Sequence, residues 1–512
     1  MAGISRKAFI KGAASGAAVG LSGALSGTGL LSTALADQGS DLNGEGKDLI
    51  LSDAMVLTMD DQRRAFESGF VWIRDGRIHR VGATSDLGPV PEDAVTQSVI
   101  GSIIMPGLVN CHTHLSNGMV RGIFDEMPLE VWFSKGMWSV LNALDGPTGE
   151  AGAALSLVEL MGMGVTTTAV GEFGTPNHDL PDGVLKAVQR SGIRAVLSRM
   201  TVDSPDDSSP AQFIPERYRE KPSFAADEVR RLQRSYNSPL VSVCPEALGV
   251  MRCTPEMVVA MHEVAVESGS HFVMHAAASQ DARDESRRRF GHGSITELEQ
   301  LGVLGPKTLL AHGIWLDDRE IAQLVEHQTG VSHNPVSNAY YAAGVARLPA
   351  MLKAGIRTGL GVDGASTNNS QNVWETMKMA VLFQKQWNED ANFGSAELAL
   401  ELMTRGGAQA LHMEDEIGSL QAGKRADFIV IDTERAALAP AQTVISNLVY
   451  SNDPAAVRDV YVDGQLVVSG GIHQRFDQGS VIEGARVALG RLLKRTGLDS
   501  YIAQRSSWQW HR

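Results

Sequence analysis

The chain has 512 residues, 43% of them hydrophobic, and a formal charge of −14; that is longer than one core usually organises and too apolar for a disordered chain. The acidic balance argues against nucleic acid and anionic membrane surfaces as partners. Three cysteines, Cys111, Cys244 and Cys253, have no metal-knuckle spacing and cannot all pair, which excludes a disulfide framework.

In chain order, residues 1–36 come first: a basic start, a Gly/Ala-rich apolar stretch, and Ala34-Leu35-Ala36 as an A-x-A cleavage site. This pattern predicts an export signal and a periplasmic protein, cytoplasmic if the segment is not a signal. "SRKAFIK" is similar to the twin-arginine type, with Lys7 where the second arginine would stand. No later stretch reaches the roughly 18 uninterrupted apolar residues of a membrane span. Residues 37–104 read as short strands and turns, including an Asp-Gly turn in "GFVWIRDGRIHRVGA", and the same texture returns over 415–475. The two flanks are therefore expected to close one small β-sandwich.

Between them, over 105–414, short β-branched runs alternate with helix-period segments, the pattern of βα units around a parallel sheet buried on both faces. Eight strand candidates follow in order: "SIIMPGLVNCH", "GVTTTAV", "IRAVLS", "LVSVC", "HFVMH", "TLLAH", "TGVSH" and "RTGLGVD". Eight such units predict an α/β (β/α)8 TIM barrel, although a doubly wound open sheet satisfies the same string. Residues 476–512 read as an amphipathic helix with a Trp-containing end.

His112 and His114 alternate with Cys111 and Thr113, so in an extended segment the two imidazoles share a face. An isolated pair of this kind is also served by hydrogen bonding at a barrel rim. The positions of the other histidines argue for a metal: His275 ends the fifth candidate, His312 the sixth and His333 the seventh, while Asp363 ends the eighth. The carboxyl ends of barrel strands meet at one mouth. Imidazole nitrogens with one carboxylate suit a single divalent ion, zinc before iron or manganese, which lowers the pKa of bound water from about 15.7 towards 7.

These motifs, with "MPGLVNCHTHL", "FDEMPLEVW", "LLAHGIWLDDREI", "VSHNPVSNAYYAAGVARLPAMLKAGIRTGLGVDGASTNN" and "IGSLQAGKRADFIVID", resemble the amidohydrolase superfamily. Within it they are similar to the group of S-adenosylhomocysteine and methylthioadenosine deaminases and triazine hydrolases. The resemblance implies that His112, His114, His275 and Asp363 hold one metal, that His312 bonds the attacking water or the developing oxyanion, and that Asp363 accepts that water's proton. It also implies that His333, Trp132 and Trp315 line the pocket of a small-molecule substrate and that the chain forms a homo-oligomer. The deaminases of the group place a glutamate three residues after the strand-5 histidine; this chain has Ala278 there. A second departure is Glu246 in "VCPEALG", expected either to take over proton traffic or to pair with an arginine among Arg283, Arg287, Arg288 and Arg289. The reaction expected is hydrolysis of a carbon–nitrogen bond in an N-heterocycle, as a deaminase performs it. An amide, urea or carbamate is the alternative that Ala278 favours, and a metal-binding homologue without turnover is a third.

Overall fold

A computed structural model describes residues 47–505 apart from 126, 128, 175, 205–213 and 452. The expected export signal and the tryptophans near the carboxyl end lie outside the described residues. Eight parallel strands follow one another around the central domain: β1 (Leu108–Thr113), β2 (Val165–Phe173), β3 (Arg194–Thr201), β4 (Val241–Ala247), β5 (Phe272–Ala276), β6 (Thr308–His312), β7 (Gly330–His333) and β8 (Arg357–Leu360). Helices cover the outside, so strands such as β2 and β3 are buried along their whole length, which is why they read as unbroken runs without polar alternation.

The first and last strands settle the choice between barrel and open sheet. Asn110 Oδ1 accepts from the Val362 N–H at 2.9 Å, the His112 carbonyl accepts from the Asp363 N–H at 2.9 Å, and the Thr113 hydroxyl donates to the Asp363 carbonyl at 2.9 Å. These bonds join the residues following β8 to β1 and close the ring.

The run expected as one first strand is two. Ser102–Pro106 pairs antiparallel with Phe428–Asp432 in the flanking sheet, and Leu108 then begins the barrel. The break falls at Gly107, where a Cβ would lie 2.1 Å from Thr166 Oγ1; only glycine lets the chain pass that close from one sheet to the other. Met105 and Pro106 therefore belong to the flanking sheet. That sheet is continuous and mixed, with nine strands drawn from both flanks. Its expected Asp-Gly turn is present, with φ of 49° at Asp75 and 72° at Gly76, the left-handed pair that a two-residue hairpin turn requires.

The carboxyl-terminal segment is two helices, not one. Gln478–Thr496 packs on Gly146–Gly162 and is tied to it by Arg495, which donates to Asp145 Oδ2 at 2.9 Å; Gly497, with φ of 70°, ends it before Leu498–Arg505. Among the described residues no helix is long and apolar enough to cross a membrane.

One ion pair inside the barrel wall carries a stability prediction. Arg199 forks onto Glu220 at 2.6 and 2.8 Å, with both side chains no more than 2% exposed, and the Thr201 hydroxyl donates to the same carboxylate at 2.7 Å. Glu220→Gln leaves the guanidinium buried without its counter-charge, and a loss of about 3–5 kcal/mol is expected. A denaturant midpoint unchanged from wild type would contradict this.

Candidate active site

The strand ends bring the candidate residues together as follows. His112 and His114 leave β1 with ring centroids 4.8 Å apart, and His275 at the end of β5 lies 4.8 Å from His112 and stacks on His114 at 5.6 Å. His312, at the end of β6, lies 5.4 Å from His275 and 5.7 Å from His112. Asp363, three residues beyond β8, turns Oδ1 to within 3.6 Å of His112 Nε2 and 3.4 Å of His114 Nε2. His112, His275 and His312 form one group of candidate ligand atoms and His112, His114 and Asp363 another, each within 4.8 Å.

The supporting contacts aim these atoms inward. His114 Nδ1 donates to the Gly171 carbonyl at 2.7 Å, which leaves Nε2 as the free lone pair facing Asp363. Asp363 Oδ2 accepts from the Ser337 hydroxyl at 2.6 Å and Oδ1 from the Gly364 N–H at 2.7 Å. His312 Nδ1 lies 3.0 Å from Asn338 Oδ1 and 3.3 Å from Asn334 Nδ2; the shorter contact makes Nδ1 the donor. Both His312 and Asp363 sit at positive φ, 80° and 64°, conformations a side chain disfavours and functional sites hold.

Protonation follows from burial. Desolvation drives His112 and His275 well below the usual imidazole range, against the pull of Asp363. Burial pushes the Asp363 carboxyl up, but the surrounding imidazoles and Ser337 together hold it well below the usual carboxylate range. Burial thus favours neutral His112 and His275 beside an ionised Asp363, the state in which each offers a lone pair to a metal. His112 Nε2 is buried and makes no hydrogen bond, which a ligated cation would satisfy. The residues fit a divalent ion.

Glu246 does not stand on the cavity wall. It is fully buried, with Oε1 3.0 Å from His275 Nδ1 at an angle that makes no hydrogen bond, and Oε2 accepts from the Ser198 hydroxyl. Burial raises its pKa to about 7, against the Ser198 hydroxyl and His114. Its neighbour is the far side of a cluster histidine, not the reacting face, and the arginines of 283–289 are not what it contacts.

The cluster opens on a cavity with about 780 Å³ of empty space, counting the part open to solvent. Trp132 lines it, as expected, together with Phe133, Met137, Leu141, Phe173 and Met200. His333 and Trp315 do not. His333 borders a separate pocket across the helix Pro335–Tyr340, where burial pushes its pKa down to about 4, and the Trp315 indole donates to the Ala343 carbonyl at 2.7 Å. Among the polar wall residues that escaped the sequence reading are Glu172 at the end of β2, Asn338, and Arg252, whose guanidinium lies 4.2 Å over the Phe133 ring. Glu172 had a usable signal, a charged residue at a strand's carboxyl end. Ala278 is on the wall beside His275 and His312.

A parallel barrel with histidines and an aspartate gathered at the carboxyl ends of its strands defines a metal-dependent barrel hydrolase. Comparison with known proteins agrees. The sequence profile of the amidohydrolase family matches residues 103–467. A 5-methylthioadenosine/S-adenosylhomocysteine deaminase of Nitratidesulfovibrio vulgaris is 33% identical over 444 residues, covering 86% of this chain and 96% of its own length. A 5'-deoxyadenosine deaminase of Methanosarcina acetivorans is 32% identical over 448 residues, covering 88% and 99%. Among solved structures, an adenosine deaminase from Xanthomonas campestris with bound zinc has a TM-score of 0.79 at 25% identity, covering 88% of this chain and 99% of that one. Atrazine chlorohydrolase from Arthrobacter aurescens, complexed with zinc, shares the fold with a TM-score of 0.79 at 23% identity, covering 86% and 100%. The chain belongs to the amidohydrolase family: it is a hydrolase acting on carbon–nitrogen bonds other than peptide bonds.

Proposed function

We propose that this enzyme hydrolyses a carbon–nitrogen bond at an sp² carbon of an N-heterocyclic small molecule, as its deaminase relatives are named for doing, with one zinc ion held by His112, His114, His275 and Asp363. The observation that carries the reading is the convergence of four strand ends on one cluster at the mouth of an apolar, aromatic-walled cavity. When bound, the ion supplies an acidified water and a Lewis acid for the attacked carbon. Asp363 takes the proton from the attacking water, since its carboxylate is ionised and Ser337 fixes its orientation. His312, oriented by Asn338, steadies the oxygen on which charge develops. Trp132, Phe133 and Phe173 offer flat apolar surface to a planar ring and exclude water from it.

Glu246 acts on His275 as a positioning residue, through the carboxylate charge that Oε1 holds 3.0 Å from Nδ1. Glu246→Gln is expected to weaken zinc affinity about 10–100-fold, with turnover restored by excess zinc. Turnover that stays low at saturating zinc would instead place the carboxylate in the proton path.

Ala278 on the cavity wall favours a second reading, hydrolysis of an amide, urea or carbamate, whose carbonyl needs no ring protonation. Zinc-loaded protein incubated with aminopurines, triazines, pterins, anilides and phenylureas separates the two. Ammonia release from the heterocycles supports the first reading, and aniline or alkylamine release supports the second. A panel without release of either contradicts both.

A further inference from the structure

We propose that Glu172 reads the edge of the substrate ring, receiving an exocyclic amine beside a ring nitrogen that is distinct from the carbon attacked. The inference rests on the reading of this cavity as that of a hydrolase of N-heterocycles, and it narrows the substrate to rings that keep such an amine–ring-nitrogen edge through the reaction.

Glu172 is 2% exposed yet lines the cavity from the carboxyl end of β2. Its Oε1 accepts from the Ser116 N–H at 2.8 Å and its Oε2 from the Ser116 hydroxyl at 2.6 Å. A carboxylate offers about four lone-pair sites; these bonds, with the Leu115 N–H also turned towards it, fill part of that capacity and leave room for a further donor. Among the described residues no lysine, arginine or histidine lies within 4.0 Å of it in an ion pair. The wall around it is largely apolar and aromatic, with Phe173 beside it in sequence and Met200 and Leu141 also on the lining. Leaving a buried carboxylate without complementary donors is costly.

The chemistry that suits this carboxylate is planar and rich in N–H. An exocyclic amine beside a protonated ring nitrogen presents two hydrogens with the spacing of the two carboxylate oxygens, the arrangement that makes paired carboxylate hydrogen bonds strong. The aromatic wall accepts the ring carrying that edge. Glu172 directly follows Gly171, whose carbonyl takes the His114 hydrogen bond at 2.7 Å, and Glu172 and His114 line the same cavity, so one ring can meet both. A carboxylate-bearing ring end would meet repulsion there.

The test uses the zinc-loaded full chain and two near-isosteric probes, 2-aminopyridine and 2-methylpyridine, measured by calorimetry. Both carry the ring nitrogen, and the comparison of the ratio between wild type and the Glu172 variant removes the difference in how that atom meets zinc. Wild type is expected to bind 2-aminopyridine at least about 10-fold more tightly, as hydrogen bonds to a charged group allow. In Glu172→Gln the ratio is expected to fall close to one with zinc content unchanged. A carboxylate that merely braces Ser116 would move both affinities together and leave the ratio as in wild type, which would overturn the proposal. Equal binding of the two probes by wild type, or no binding of 2-aminopyridine, would overturn it even where the variant fails to fold. Ammonia and amine release is scored separately. A Glu172-dependent ratio without hydrolysis of any panel compound refutes the proposed function and leaves the recognition standing; hydrolysis without that ratio refutes the recognition alone.

Discussion

Asp363→Asn is expected to lower kcat by at least about 10³-fold, within the span attributed to a positioned acid or base and equivalent to a barrier increase of about 4 kcal/mol. The argument lies in how firmly this side chain is held. Its Oδ1 faces His112 and His114 at 3.6 and 3.4 Å, its Oδ2 is pinned by Ser337, and its main chain bonds both His112 and Thr113. Asparagine keeps the size and most of those bonds, so the fold survives while the negative charge and the proton acceptor are lost. Rates under saturating substrate, with zinc content measured on the same sample, check the prediction. A fully zinc-loaded variant turning over like wild type would remove Asp363 from the proton path.

Ala278→Glu is expected to act in the opposite direction, raising ammonia release from adenosine-type rings by about 10²-fold, the low end of what a general acid contributes. Ala278 lines the same cavity as the cluster histidines His275 and His312, so a longer side chain there reaches into the cavity. Ala277 before it adopts φ of 50°, a turn that aims position 278 independently of the residue it holds. Initial rates of ammonia release compared between the two proteins test this. No gain on any aminated ring would show that ring protonation does not limit the enzyme and would shift weight to the amide and urea reading.

The cage was legible in the sequence because its signals are local. A histidine or aspartate that ends an apolar β-branched run lies at a strand's carboxyl end, and barrel geometry does the rest. The split at Gly107 was hidden because "SIIMPGLVNCH" is apolar throughout, and periodicity cannot mark where a buried strand changes sheets. The orientation of Glu246 was hidden for a different reason. Its place on β4 fixed its neighbour strand, but which side of the His275 ring it faces depends on side-chain rotation that no spacing encodes. His333 and Trp315 were displaced by one short helix, Pro335–Tyr340, which puts Ser337 and Asn338 on the cavity and turns His333 towards the other pocket. Whether a residue lies before or behind such a helix is a tertiary fact.

The bond from Thr113 to Asp363 spans 250 positions of chain, and the polypeptide between them supplies seven of the eight staves. Such a long loop is among the slowest contacts for a chain to close. Completion of the metal site should therefore report completed folding: a nascent or truncated polypeptide ending before the eighth stave has its imidazoles but lacks the Asp363 carboxylate that meets them.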